Sequence, residues 1–160
     1  MEIDAEKFAR VKADAETFYK AVGEIYCPYL KETVAFNAKG LDHIKFKDWN
    51  RTRLIEDQFF RLKLLHLAPQ VLKESHTLQE LREMNRLERQ KINSRWEQRM
   101  IRVCYFGFVA ILGDVRIKVV VKDIEGGKKF FWSICPHWKQ RKDQDGKIKK
   151  VLHEGDLETQ

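Results

Sequence analysis

Two glycine-containing dipeptides, Gly113-Asp114 and Gly126-Gly127, separate three segments that are rich in aromatic and β-branched residues. The segments run over 100–112, 115–124 and 129–135, and in the middle one apolar residues alternate with basic residues. A short glycine-containing break between such segments is the strongest local signal of a β-hairpin. The sequence therefore predicts two consecutive hairpins, which together make an antiparallel meander.

The chain before residue 99 lacks this alternation and is expected to be mainly helical. Apolar residues at helical spacing predict the helices, which we place at 5–22, 41–46, 49–67 and 69–75. A short edge strand is expected over 32–37. The segment 77–98 contains many helix formers but only a thin apolar stripe, so we expect an exposed helix or a partly mobile excursion there.

Helices followed by an antiparallel meander predict an α+β fold, with N-terminal helices packed on a sheet of about four strands. A length of 160 residues is typical of one domain. We expect that domain to span 1–135, with a helical part at 1–98 and a sheet part at 99–135. A C-terminal tail, first basic and then acidic, follows at 136–160.

The composition excludes several classes of protein. With 43% hydrophobic residues and ten Phe, the chain has too much apolar surface to be disordered. No apolar run approaches the roughly 18 residues of a membrane-spanning helix, and the N-terminus lacks the features of a signal peptide. These observations predict a cytoplasmic protein without membrane association.

The chemistry-bearing residues suggest no cofactor. The three cysteines form no C-x-x-C pair, and the histidines have no ligand spacing, so neither a disulfide framework nor a metal site is expected. The net charge of +7 instead favours an anionic partner.

The predicted hairpins place basic residues together on one face of the sheet. If each dipeptide forms a two-residue turn, Lys122 lies between Tyr105 and Phe131, and Val120 lies between Gly107 and Ser133. Side chains alternate along a strand, so these residues share a face. We call this face the basic trough, and its members are Tyr105, Gly107, Val109, Arg116, Lys118, Val120, Lys122, Phe131, Ser133 and Cys135. The predicted core face contains Cys104, Phe106, Phe108, Ala110, Ile117, Val119, Val121, Phe130, Trp132 and Ile134.

The basic trough has two interpretations. Lysines on a strand are most often the solvated face of an antiparallel sheet. An anion site is favoured because the cations lie on an inner strand and because 105–112 and 115–122 contain no Asp or Glu. In that interpretation Arg116 contacts phosphate, and Tyr105 and Phe131 offer ring faces on which bases could stack.

Two stretches of the sequence carry a resemblance to a known group of nucleases. Residues 36–83 read FNAKGLDHIKFKDWNRTRLIEDQFFRLKLLHLAPQVLKESHTLQELRE, and residues 116–134 read RIKVVVKDIEGGKKFFWSI. Both resemble bacterial and mobile-element proteins related to the phage-borne barnase, EndoU, colicin and RelE-like (BECR) nuclease superfamily. The resemblance implies helices followed by a four-stranded antiparallel sheet, and cleavage of RNA without a metal.

The resemblance also implicates individual residues: His43 in the Gly-Leu-Asp-His turn, Arg53, Lys118 or Lys122, and Ser133. When a 2′-hydroxyl attacks phosphorus, a base must take its proton, an acid must protonate the leaving 5′-oxygen, and cations must hold the developing charge. His43 suits the base or the acid, and Arg53 and Lys118 suit the cations. Lys122, with a pKa lowered by neighbouring like charge, could join the proton transfer. Ser133 and Tyr105 would donate hydrogen bonds to a phosphate oxygen.

Each assignment has a plainer alternative. His43 could be a surface or capping residue, and Arg53 could belong to a solvated helix face paired with acidic neighbours. An enzyme of this kind would need control, so the resemblance implies an acidic antitoxin or immunity partner. Two other functions stay open: a catalytically inactive nucleic-acid-binding module, and a mobile-element inhibitor whose basic face meets an acidic protein.

Overall fold

The computed structural model describes residues 3–48, 51–142, 144–145, 148–152 and 157–158. The helices in these ranges are α1 (Ala5–Val22), α2 (Ala38–Lys45), α3 (Ile55–Leu64) and α4 (Ala68–Glu74), with a 3₁₀ turn at Leu65–Leu67. The strands are β1 (Glu24–Cys27), β2 (Glu32–Ala35), β3 (Phe46–Asp48), β4 (Arg51–Thr52), β5 (Glu80–Ile92), β6 (Arg95–Leu112), β7 (Val115–Ile124), β8 (Phe130–Pro136), β9 (Trp138–Lys142) and β10 (Ile148–Leu152). None of the described helices is both long and apolar enough to cross a membrane.

The helices that border the site begin where the sequence supplies a reason. Asn37 caps α2, because its side-chain oxygen accepts a hydrogen bond from the backbone N–H of Gly40 at 3.2 Å. The helix expected from residue 49 begins only at Ile55, because the short strands β3 and β4 precede it. The first helix is confirmed over Ala5–Val22, between a cap at Asp4 and the left-handed Gly23.

The predicted α+β class with an antiparallel sheet is confirmed, but the sheet has six strands rather than about four. The strand order is β1-β2-β8-β7-β6-β5, and every neighbouring pair is antiparallel except β2 and β8. Strands β1 and β2 extend the predicted meander on one side, and β5 extends it on the other.

The segment 77–98 was expected to be an exposed helix or a partly mobile excursion, and that prediction was wrong. All thirteen residues of β5 pair with β6, from Glu80 opposite Gly107 to Ile92 opposite Arg95. The two residues between these strands, Asn93 and Ser94, both have positive φ, at 48° and 66°. This is the two-residue turn that suits the twist of a hairpin. Pairing with the neighbouring strand overrides the helix propensity of the segment, so the sheet begins well before residue 99.

The register of the first predicted hairpin is confirmed. Leu112 lies opposite Val115 and Tyr105 lies opposite Lys122, across a turn in which Gly113 has a φ of 60°.

The second hairpin departs from the prediction near its turn. Lys118 lies opposite Cys135 and Val120 opposite Ser133 as expected, but Lys122 lies opposite Phe130 instead of Phe131. The register shifts between Val120 and Val121, so β8 contains one extra residue there, which is a β-bulge. The Gly126-Gly127 dipeptide is not the centre of a two-residue turn, because the Gly127 N–H closes a turn onto the Ile124 carbonyl at 2.8 Å.

The bulge moves three aromatic side chains to the other face of the sheet. Phe130, expected in the core face, lies opposite Lys122 and therefore on the trough side. Phe131, expected in the basic trough, is fully buried in the helix-facing core and stacks on Phe36 with ring centroids 5.0 Å apart. Trp132, expected in the core, lies on the trough side beside Lys122. The other central members of the predicted core face are confirmed, namely Phe108, Ile117, Val119, Val121 and Ile134. They pack against residues of the helices, including Tyr19, Ile44, Leu62 and Leu72.

Candidate functional site

The basic trough is covered rather than exposed. Tyr105 and Ser133 are fully buried, and Lys118 and Lys122 expose 1% and 7% of their surface. On the β8 side the cover comes from residues of α2, of α3 and of the loop before α3. Further along, Leu157 packs over the trough beside Tyr105 and Val120. The expectation of an open, shallow surface was therefore wrong.

Lys118 is neutralised by an acidic residue from the strand that the sequence did not predict. Its Nζ lies 3.0 Å from Glu80 Oε2 at the start of β5. The absence of Asp and Glu from 105–112 and 115–122 suggested an unpaired cation, but the partner comes from the next strand. Lys118 is thus the buried member of a part-buried ion pair, and it does not line the cavity around Lys122 that is described below.

Ser133 and Arg53 belong to one buried network that runs through Asp57. Arg61 donates to Ser133 Oγ at 2.7 Å and to Asp57 Oδ1 at 2.8 Å. Arg53 donates to Asp57 Oδ2 at 3.2 Å and to the backbone carbonyl of His43 at 2.9 Å. The network joins β8, α3 and α2, and places Ser133 against a guanidinium. Arg53 and Arg61 are both buried, so the solvated helix face offered as the alternative for Arg53 does not apply.

The charged groups of this network shift one another's pKa values. Burial, helped by repulsion from Arg61, lowers the pKa of Arg53 to about 10, although Asp57 opposes the shift. Burial by itself would raise the pKa of Asp57, but the two neighbouring guanidinium groups outweigh it and hold that pKa below its ordinary value. Asp57 therefore stays ionised between two cations, and the network is a structural element that holds α3 on the sheet.

His43 is held between Arg53 and Trp132. Arg53 Nη2 lies 3.0 Å from His43 Nε2. A guanidinium only donates hydrogen bonds, so His43 Nε2 accepts one and the proton of the neutral ring is on Nδ1. The imidazole also stacks on the Trp132 indole, with centroids 3.9 Å apart and planes 18° apart. His43 is buried and carries a defined tautomer, unlike the surface or capping residue that was its alternative.

Lys122 lies against two aromatic rings. Its Nζ is 4.2 Å from the Trp132 ring centroid and 5.5 Å from that of Tyr105. The pKa of Lys122 is lowered to about 8, chiefly because burial disfavours the charged ammonium. Repulsion from Arg86 and Lys39 adds to the shift, whereas two nearby carboxylates oppose it. The expected direction is confirmed, but burial contributes more than the like charge that suggested it.

Tyr105 and Arg116, for which substrate contacts are predicted, both lie outside the lining of the cavity around Lys122. Tyr105 is enclosed, its hydroxyl 3.4 Å from Arg86 Nη1, and burial raises its pKa to about 12. Its ring face is turned to Lys122, so it offers no open platform for a base. Arg116 is six residues from Lys122 along β7, about 20 Å at strand spacing, and it does not line the cavity around Lys122.

The cavity around Lys122 has a volume of about 650 Å³ and lies between α2 with β3 on one side and residues of β5, β7 and β8 on the other. We call it the Lys122 cavity. It is lined by Lys39, Asp42, His43, Phe46, Lys47, Arg86, Glu88, Lys122, Ile124, Trp132 and Glu158. A second depression of about 350 Å³ shares Lys39, Glu88 and Ile124 with it and continues to Arg89 and Lys128. Together they form a continuous groove with an excess of cations.

Sequence reasoning missed several residues of this cavity for identifiable reasons. Arg86 and Glu88 belong to the segment that was expected to be helical. Trp132 was assigned to the core because nothing in the sequence marks the β-bulge. A helical residue far from the sheet in sequence, Lys39, is brought to the cavity only by the packing of α2 on β8.

Two residues near the end of the chain, Leu157 and Glu158, which we call the C-terminal pair, lie beside the trough, and Glu158 lines the Lys122 cavity. The Glu158 carboxylate pairs with Arg86, and its backbone carbonyl accepts a hydrogen bond from Trp132 Nε1 at 3.1 Å. Leu157 packs against Gly107, where a Cβ would meet Leu157 Cδ2 at 3.2 Å. The absence of a side chain at position 107 thus allows the close approach of Leu157 to the trough.

Comparison of the chain with protein-family models, with curated proteins and with solved structures gave no match. Among the residues that the structure describes, no group of three His, Cys, Asp or Glu side chains is arranged to hold a metal ion. The kinship with BECR nucleases therefore stays a prediction, and the site must be interpreted from its own chemistry.

Proposed function

We propose that this protein is a metal-independent endoribonuclease of the BECR type, and that RNA is cleaved in the Lys122 cavity. The observation that carries the proposal is Lys122 itself, a lysine with a pKa of about 8, in a cavity that also contains carboxylates and three further cations. A group that titrates near neutrality beside an anion-binding site has the properties that phosphodiester cleavage requires.

In the proposed reaction the cations hold the phosphodiester and two groups move protons. Lys39, Lys47 and Arg86 bind the phosphate and stabilise the charge of the pentacoordinate phosphorus. The 2′-oxygen attacks phosphorus while Glu88 takes its proton, and the bond from phosphorus to the 5′-oxygen breaks. The Lys122 ammonium donates its proton to that leaving oxygen. The products are a 2′,3′-cyclic phosphate and a 5′-hydroxyl.

The other predicted site residues do not contact the reacting atoms in this proposal. His43 is a positioning residue, because Arg53 occupies its Nε2 and its ring fixes the Trp132 indole beneath Lys122. Lys118 and Ser133 have structural partners and lie outside the cavity lining, so they take no part in the reaction. An acidic antitoxin or immunity protein would inhibit such an enzyme by covering the same cations.

The test is incubation of the purified protein with single-stranded RNA in excess EDTA. Fragments that end in a 2′,3′-cyclic phosphate, made by the wild type and by Lys118→Met but not by Lys122→Met, would support the proposal. RNA that stays intact at high protein concentration would overturn it. Salt-sensitive binding without cleavage would then assign the cavity to an inactive nucleic-acid-binding module, and absence of both would favour the protein-binding inhibitor.

A further inference from the structure

The distal half of the β5–β6 hairpin is a two-stranded ribbon that extends beyond the rest of the sheet. Strand pairing between β6 and β7 begins only at Val103 opposite Ile124, so 85–92 and 95–102 pair with each other alone among the described strands. An isolated two-stranded ribbon is at best marginally stable in water. Its persistence over eight pairs suggests that one of its faces is used.

The two faces of the ribbon differ in composition. One face turns toward the Lys122 cavity and includes Arg86, Glu88 and the buried Ile101. The side chains of the opposite face, which we call the outer face, are all exposed: Asn85, Leu87, Arg89, Lys91, Trp96, Gln98, Met100 and Arg102. The outer face has three cations and no carboxylate, whereas the cavity-facing side contains acids of its own.

An aromatic ring and a guanidinium are already associated on the outer face. Arg89 Cζ lies 5.2 Å from the Trp96 ring centroid, and the tryptophan remains 60% exposed. Leu87 and Met100, 61% and 64% exposed, form the apolar pair directly opposite each other. Exposed aromatic rings among cations are how single-stranded nucleic acids are held, since bases stack on the rings and phosphates meet the charges.

The outer face is connected to the Lys122 cavity through the second depression. Glu88 and Lys39 line both depressions, and Arg89 lines the second one and also belongs to the outer face. From Arg102 to Trp96 the outer face spans about 20 Å at strand spacing. A strand of RNA that leaves the cavity therefore passes Lys39, Lys128 and Arg89, with Glu88 and Glu125 beside them, before it reaches the outer face.

We infer that the outer face of the ribbon is a docking platform for single-stranded RNA, with Trp96 stacking on a base and Arg89, Lys91 and Arg102 contacting phosphates. The inference rests on the proposed function, because it assigns the binding of substrate outside the cavity to this face. A protein partner is the less favoured occupant, since the apolar pair is small and is surrounded by three like charges.

Binding is measured separately from cleavage with a labelled 2′-O-methyl RNA oligonucleotide, which lacks the attacking hydroxyl. We compare the wild type with the triple variant Arg89→Gln/Lys91→Gln/Arg102→Gln. The matched control is Arg10→Gln/Lys20→Gln/Lys73→Gln, which removes three exposed cations of the helices. The ribbon variant should reduce the slope of log affinity against log salt by about 2, because each phosphate deprived of its cation lowers that slope by roughly 0.7. Trp96→Ala should weaken binding about 5-fold to 100-fold.

Equal losses of affinity in the ribbon variant and the control would reduce the effect to net charge and overturn the inference, as would wild-type affinity in the ribbon variant. The readouts also separate the two proposals. If the ribbon variant binds 2′-O-methyl RNA weakly while the wild type cleaves no RNA, the platform stands and the proposed catalysis fails. If RNA is cleaved and the ribbon variant binds normally, the catalysis stands and the platform fails.

Discussion

Lys118 and Lys122 are four residues apart on β7, face the same side of the sheet and are both almost fully buried. Their surroundings nevertheless differ. Lys118 forms an ion pair with Glu80, while Lys122 lies over the rings of Trp132 and Tyr105 at the wall of a cavity. A carboxylate contact gives a buried ammonium a direct polar partner, whereas aromatic faces compensate only part of the lost hydration. The same side chain therefore forms an ion pair at one position of the strand, and at the other it lines a cavity and has a lowered pKa.

Exchanging each lysine for methionine is the sharpest test of this difference. Lys122→Met should lower the rate of RNA cleavage by about 100-fold to 10,000-fold, the range for loss of a general acid. Lys118→Met should leave the rate within about twofold, because its partner Glu80 lies outside the cavity lining and is partly exposed. Single-turnover cleavage assays measure both rates, and circular dichroism checks the fold. Equal losses of activity in the two variants would contradict the proposed difference between Lys118 and Lys122.

Substitutions in the network that joins Arg61, Ser133 and Asp57 should lower the stability of the fold. Arg61→Leu removes the donor to Ser133 Oγ and to the Ile134 carbonyl and leaves Asp57 with one cation fewer. Loss of such a buried charged donor should lower the free energy of unfolding by about 2–4 kcal/mol. Urea denaturation measures the change. Lys63→Leu on the exposed side of α3 is the control and should alter stability by no more than about 0.5 kcal/mol; a similar loss there would show that the network contributes little.

The pH dependence of stability should distinguish Lys122 from a lysine that is hydrated when folded. Its pKa is about 8 in the folded protein and 10.5 as an unperturbed group. Between these pH values the unfolded chain binds the proton and the folded chain does not, so stability rises with pH. The contribution is absent below pH 8 and complete above pH 10.5, where it reaches about 3 kcal/mol.

Lys122→Met should remove this rise, and Lys118→Met should retain it. Unfolding free energies of the three proteins, measured across that pH interval, give the difference directly. If the unfolding free energies of the wild type and Lys122→Met changed in parallel with pH, Lys122 would not be desolvated in the folded protein.

Turn residues and residue alternation in the sequence predicted the register of the first hairpin but not that of the second. The Gly113-Asp114 turn and the alternation of β6 and β7 were enough to place Tyr105 opposite Lys122, because register in a hairpin follows from its turn. The second hairpin contains the extra residue at Trp132, and a bulge has no sequence signature of its own. The exchange of Phe131 and Trp132 between faces followed from that single residue.

Partners that come from distant strands could not be predicted either. Glu80 pairs with Lys118, and Glu88 reaches the Lys122 cavity, only because 80–92 joins the sheet by non-local pairing. The one local sign was Asn93-Ser94, a dipeptide that tolerates left-handed backbone. The helices 5–22 and 69–75 were predicted well because their signals are local: apolar spacing, the Asp4 cap of the first helix and Pro69 in the first turn of the second.

In the Lys122 cavity one cation is already paired with a carboxylate of the same chain. Removing that carboxylate is the change with the smallest expected effect. Glu158 pairs with Arg86 at the cavity wall, where the two side chains are 28% and 37% exposed. Glu158→Gln removes one of the two carboxylates that pair with Arg86, the other being Glu88, so affinity for 2′-O-methyl RNA should rise about 2-fold to 5-fold, the worth of a half-exposed ion pair. It should also lower the pKa of Lys122 further, because Glu158 is one of the two carboxylates that raise it. Glu97→Gln makes the same change of charge at the exposed Arg99 pair on the ribbon. Fluorescence anisotropy titrations measure the affinity of both variants for 2′-O-methyl RNA. Only an increase in affinity confined to Glu158→Gln identifies Glu158 as a competitor for the anion site.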